Sequence, residues 1–203
     1  MHTPFLLYGA FNISIIQESL GQVQKNLRTL LSDRPFSKTV LNSISFSRVC
    51  RTKSIPYNPR RTKFLLYEPK TNPGTTVFFV NQVDGWHTLV YNYSRLFHKN
   101  VFQVGFNQDP ADEQPAYFFD YFYYHKKKFC NRHIHAIKGE KWIFFADGEI
   151  QPFEDKRNYG RKQVKDRLNN EVIINYLKKG GYDLSNTDFF ESYKKGLYFT
   201  DKF

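Results

Sequence analysis

Between Lys63 and Phe153 the chain is a succession of short apolar runs cut by turn residues, and this spacing limits the fold more than any other feature. The runs cover 63–68, 75–83, 86–92, 101–106, 116–124, 129–138 and 141–146, with a short one at 149–153. They are rich in aromatic and branched side chains, which pack well on a pleated, half-buried surface. Pro73-Gly74, Asp84-Gly85, Gly139-Glu140 and Asp147-Gly148 punctuate them. Asp-Gly between apolar runs is a strong hairpin cue, because a type I′ turn needs positive φ at both central residues. Sequential hairpins pair as antiparallel neighbours, and the stretch offers no room for βαβ crossovers. The expected fold is therefore α+β, an antiparallel β-meander of about 6–8 strands with one face covered by helices.

Outside that run the periodicity turns helical. Ile15, Ile16, Leu20, Val23, Leu27, Leu30 and Leu31 recur at three- and four-residue steps, with Ser14 and Gln17 spaced as a capping box and Asp33-Arg34-Pro35 as a stop. Val164, Leu168, Val172, Ile173, Tyr176 and Leu177 form a second stripe, closed by Gly180-Gly181. Ser185 and Asp188 open a short helix to about Lys195, after which Leu197-Tyr198-Phe199 adds a last strand or docks. Residues 43–49 alternate like a strand. A Pro-broken basic loop, 51–62, joins this N-terminal segment (1–50) to the meander (63–153), with a helical segment (154–203) behind it. At 203 residues the whole is expected to be one domain.

Cys50 and Cys130 are too few for a disulfide framework and match no zinc-ribbon or redox spacing. The apolar start, Pro4 to Phe11, lacks the basic flank and cleavage site of a signal peptide. No run approaches the roughly 20 apolar residues of a membrane span. These features point to the cytoplasm. GxxxxGK[ST], GxGxxG, GxSxG and HExxH are all absent, so no cofactor is assigned.

The histidine-rich segment is the main enzymatic candidate. His133 and His135 share one face of a strand, together with Asn131, while Cys130 has the opposite parity. One regular strand cannot bring all three ligands together, and a zinc site needs a further group such as His87 or His98; no metal site is assigned from sequence. A metal-free nuclease needs an acid, a base and a cation for the developing charge. His133 and His135 with Lys138 or Arg132 are the candidates. Among the carboxylates, Asp109, Asp112 and Glu113 read as a solvated loop, Asp147 and Glu149 as turn chemistry, and Glu154 and Asp155 as the approach to the C-terminal helix.

The net charge is +11. Such a field attracts phosphate or an acidic protein, although Lys, Asn, Phe, Tyr and Ile also rise together in AT-rich coding sequence. Basic residues gather at Arg60 and Arg61, at Lys126, Lys127 and Lys128 between two aromatic strands, and at Arg157, Arg161 and Lys162, where they are expected to open the C-terminal helix. Tyr121 and Tyr123 share one face of their strand with Tyr117 and Phe119, and form a candidate ring platform. Aromatic rows beside arginine also suit protein contacts. A non-enzymatic protein-binding role therefore ranks first, such as a bacterial immunity or inhibitor protein neutralising a toxin or effector domain. Binding of RNA or single-stranded DNA ranks second, and a metal-independent nuclease using His133 and His135 third.

Overall fold

The computed structural model describes residues 10–50, 59–107 and 115–202. Most of the apolar start, residues 51–58 of the basic loop, and Asp109, Asp112 and Glu113 lie outside the described residues. The strands are β1 (Ala10–Ile16), β2 (Phe36–Leu41), β3 (Lys63–Tyr67), β4 (Thr76–Val80), β5 (Val101–Asn107), β6 (Ala116–His125), β7 (Lys128–Lys138), β8 (Trp142–Asp147) and β9 (Gly196–Asp201). The α-helices are α1 (Leu20–Leu30), α2 (His87–Phe97) and α3 (Asn170–Lys179). The nine strands among the described residues form one sheet in the order β2-β9-β3-β4-β1-β5-β6-β7-β8, every neighbouring pair antiparallel. The α+β class and the antiparallel sheet are as expected. The sheet is larger than expected, and only β5 to β8 follow one another as a meander.

The differences have physical causes. Residues 10–16 form the central strand, not the first turn of the amphipathic helix. Phe11, Ile13 and Ile15 recur at period two and are almost wholly buried, and pairing on both edges, with β4 and with β5, outweighs the helical reading of Ile15 and Ile16. The helix begins at Leu20, after Ser19. The segment at 86–92 is helical because its burial continues past the apparent strand: Leu89, Val90, Tyr93 and Ser94 are the inward face of α2. β4 and β5 both run antiparallel to β1, so they are parallel to each other and α2 crosses between them. Asp84-Gly85 therefore leads into a helix, where a hairpin was expected. No strand forms at 149–153 or at 43–49; the latter holds a 3-10 turn, Phe46–Arg48. The short helix after Ser185 reduces to a 3-10 turn, Thr187–Phe190, capped by Asn186.

Pleating divides the inward-facing residues into two cores. On one face Ile13, Ile15, Val104, Phe119 and Ile134 meet Val172, Ile173, Tyr176 and Leu177 of α3. On the other, Phe64, Phe78, Val101 and Phe122 meet Leu20, Val23 and Leu27 of α1 and Leu89, Val90 and Tyr93 of α2. Each fully buried side chain of this size contributes about 1.5–3 kcal/mol. Helices thus cover both faces, where one was expected. No helix among the described residues is long and apolar enough to cross a membrane.

The β6–β7 hairpin closes through Lys126 and Lys127, with φ of 48° and 66°. Positive φ at both central residues marks a I′-type turn, the geometry that suits the twist of paired strands but disfavours lysine. Non-glycine residues held in this region cost on the order of 1–3 kcal/mol each. Replacing Lys126-Lys127 by Asn-Gly is expected to stabilise the fold by about 1 kcal/mol and raise Tm by about 2–4 °C, measured by thermal unfolding. An unchanged or lower Tm would contradict this account of the turn.

Candidate functional site

The register of β7 on β6 is that of a two-residue turn at Lys126-Lys127. Counting back from His125 opposite Lys128, Asp120 falls opposite His133 and Phe118 opposite His135. Residues opposite one another project to the same face, so one carboxylate and two imidazoles converge on the α2 side of the sheet. His133 Nδ1 and His135 Nε2 each lie 2.7 Å from Asp120 Oδ1. His87, the first residue of α2, brings its Nδ1 to 3.5 Å from Asp120 Oδ2. The Asp120 side chain is 2% exposed, against 16% for His133, 30% for His135 and 38% for His87. The carboxylate is the floor, and the imidazoles open to solvent. Phe122 packs against His87 and His133, and Phe145 against His135.

A polar layer fixes the helix end that carries His87. Buried Gln103 donates from Nε2 to the carbonyls of Asp84 and Gly85, while its Oε1 lies 3.2 Å from His87 Nδ1. Gly85 has φ of 64°, and a Cβ there would stand 2.7 Å from Gln103 Nε2, so the position needs glycine on both counts. Trp86 follows with φ of 57°, a left-handed conformation that non-glycine residues adopt only under tertiary constraint. Its ring is held by the Arg34 guanidinium, 5.2 Å from the ring centre, and by Phe36 and Phe64.

Burial opposes the charge of Asp120, but hydrogen bonds from His133, His135 and His87 outweigh it and hold the carboxyl well below the usual carboxylate range. The hydrogen bond to Asp120 in turn raises the pKa of His87. On His133, Nδ1–H donates to Asp120 and Nε2 accepts from Asn131 Nδ2, an assignment that satisfies all three groups. Asp120, His133 and His135 each offer one ligand atom, and these atoms lie within 4.8 Å of one another. Oxygen and imidazole donors of this kind suit a divalent transition-metal ion.

The other residues singled out from sequence lie elsewhere. Lys138 and Arg132 have the opposite parity on β7 and do not share the histidine face. Arg132 is buried, and its Nε and Nη2 form a bidentate pair with Glu154 while Nη1 donates to the carbonyls of Asp147 and Gly148. Tyr121 and Tyr123 stack on each other at 4.8 Å, Tyr121 also lying on Phe102. Tyr123 is buried, and burial pushes the Tyr121 hydroxyl up to about 12. The pair does not form an open platform. Arg60 and Arg61 are exposed just before β3, and Lys126, Lys127 and Lys128 are exposed at the hairpin tip, with β4, β1 and β5 between β3 and β6. Arg157 pairs with Asp155, Arg161 donates to the Asp166 carbonyl, and Lys162 is exposed; all three precede α3, whose first turn carries Glu171. They sit on or beside 3-10 turns, where the start of the α-helix was expected. His98 packs against Tyr124, the rings tilted, at the end of α2 and outside the cluster.

Asp120 was missed as a partner of the histidines. Its signal lay in the hairpin register, legible once Lys126-Lys127 is taken as the turn. Arg132, considered as a catalytic cation, is instead tied to Glu154. Arg132→Met is expected to cost about 3–5 kcal/mol by leaving the carboxylate buried and unpaired, and Arg132→Met with Glu154→Leu to recover most of it. Urea unfolding checks both; a double variant as unstable as the single one would show that the orphaned charge is not the cause.

Comparison with protein-family models, with curated proteins and with solved structures finds no match for this chain.

Proposed function

We propose that this chain is a metal-dependent hydrolase acting on an anionic substrate. The reading rests on one observation: two imidazole nitrogens converge on a single oxygen of a buried carboxylate, at 2.7 Å each, on an open part of the sheet. A metal-free mechanism needs a cation beside the histidines, and both cations considered for it, Lys138 and Arg132, have the opposite parity on β7. A divalent ion would be held by Asp120, His133 and His135 and would supply that charge itself. Three protein ligands would leave a position for water, whose pKa falls to about 7 on zinc. Binding would release the protons that the imidazoles share with Asp120. His87 acts as a positioning residue on the same carboxylate, the outer partner that fixes a ligand's orientation. Asp147 stands opposite His133 on β8, exposed, and would be the proton acceptor for such a water. The +11 charge of the chain favours an anionic substrate.

A second reading keeps the protein-binding role of immunity or inhibitor type. Ile137, Ile143 and Phe145 are 45%, 66% and 51% exposed on β7 and the edge strand β8. Exposed apolar side chains beside an open edge are a pairing surface.

Calorimetric titration of chelator-treated protein with zinc, and visible absorption after titration with cobalt, test the metal reading. One ion per chain is expected. His133→Ala with His135→Ala should weaken binding by more than about 100-fold, and His87→Ala by roughly 10–100-fold. Unchanged stoichiometry and affinity in the double variant would sink the site. Hydrolysis of bis-p-nitrophenyl phosphate should require the ion and be lost in Asp120→Asn; stoichiometric binding without turnover would overturn the catalytic half alone.

A further inference from the structure

A groove of about 210 Å³ opens beside α1, between its last turns and the strands β2, β9 and β3. Its floor is aromatic. Phe64 and Phe199 stack with ring centres 4.5 Å apart, and Phe36 meets Phe64 edge-on at 5.2 Å. Arg28 and Lys38 line it from the solvent side, both exposed. Among the described residues no carboxylate pairs with either. The third cation, Arg34, is already engaged, at 2.8 Å from Asp201 and over Trp86. Leu27, Leu31, Ser32 and Gln24 complete the lining, Gln24 with an amide able to donate and accept. Flat rings below, an amide at the side and two unpaired cations above match the parts of a nucleotide: a base with a π face and polar edges, and a phosphate. A long acyl chain would use the rings but not the amide.

We infer that this groove binds one nucleotide, its base against the Phe36, Phe64 and Phe199 floor and its phosphate between Arg28 and Lys38. The chemistry is the same for a free nucleotide and for one residue of a single strand. The position extends the hydrolase reading by naming its substrate class. Trp86 lies 6.3 Å from Phe36 and 6.2 Å from Phe64, ring to ring, and the next residue is His87 of the Asp120 cluster. Trp86 thus joins the two: its ring meets the groove floor, and the next residue in the chain belongs to the cluster. The ion is not needed for this binding.

The test uses the full chain in EDTA, so that loss of metal binding and loss of nucleotide binding remain distinguishable. Anisotropy of a fluorescein-labelled uridine hexamer and calorimetry with uridine monophosphate are the two arms. Hexamer binding alone assigns a strand; binding of both assigns a nucleotide in either form. Arg28→Gln with Lys38→Gln is expected to weaken binding by about tenfold or more and to reduce the salt slope by about 0.7, the contribution of the one phosphate that the two cations share. Phe36→Ala should weaken it by a further tenfold or so. Lys126→Gln with Lys127→Gln and Lys128→Gln, at the hairpin tip, should change it much less. The inference is overturned if the groove variants bind like the parent, if the hairpin-tip variant loses as much as they do, or if decanoate binds the groove and neither nucleotide does.

Discussion

The pairing of β6 with β7 is the constraint on which the candidate site depends. A slip of one residue in a strand reverses the face of every side chain it carries. Ten register pairs, from Ala116 opposite Ile137 to His125 opposite Lys128, hold this hairpin in place. That register stands Asp120 beside His133 and His135, while Phe119 and Ile134 are directed into the opposite core. The turn closes with two lysines in a conformation that lysine disfavours, so the strands impose the turn rather than the reverse.

Beside that hairpin a layer of buried polar groups crosses the sheet. Asn12, Gln103 and Asp120 are all buried, and they belong to neighbouring strands β1, β5 and β6. Burying polar groups is unfavourable unless they are hydrogen-bonded or paired. Here Asn12 donates to the carbonyls of Gln82 and Val83, Gln103 to those of Asp84 and Gly85, and Asp120 accepts from the histidines. The layer thus holds the segment that ends in Trp86 and His87. Its other end opens onto the exposed Phe145, so the carboxylate is sheltered while the imidazoles can meet a ligand.

Much of the sheet was legible in the sequence because β3 and β5 to β8 announce themselves by aromatic runs between turns. The failures share a cause: a window too short to separate two periods. Ile13, Ile15 and Ile16 fit the end of a strand as well as the start of a helix, and long-range pairing with β4 and β5 decided the matter. The segment from His87 to Asn92 is rich in strand-favouring residues, and only burial of Tyr93 and Ser94 reveals the helical face. Strand parity correctly placed His133 and His135 together and Cys130 apart. What it could not give was the partner on the next strand, since Asp120 is thirteen residues away and meets His133 only through register. His87 was named, with His98, as a conceivable further ligand, but its place beside Asp120 depends on a crossover helix that no local pattern announced.

The central claim is that Asp120, His133 and His135 form one metal centre. A crystal grown with zinc, with anomalous scattering recorded at the zinc edge, tests it most directly. The account predicts one dominant peak about 2.0–2.2 Å from an Asp120 oxygen and from a nitrogen of each histidine. A fully occupied zinc ion elsewhere, with both imidazoles still hydrogen-bonded to Asp120, would contradict it.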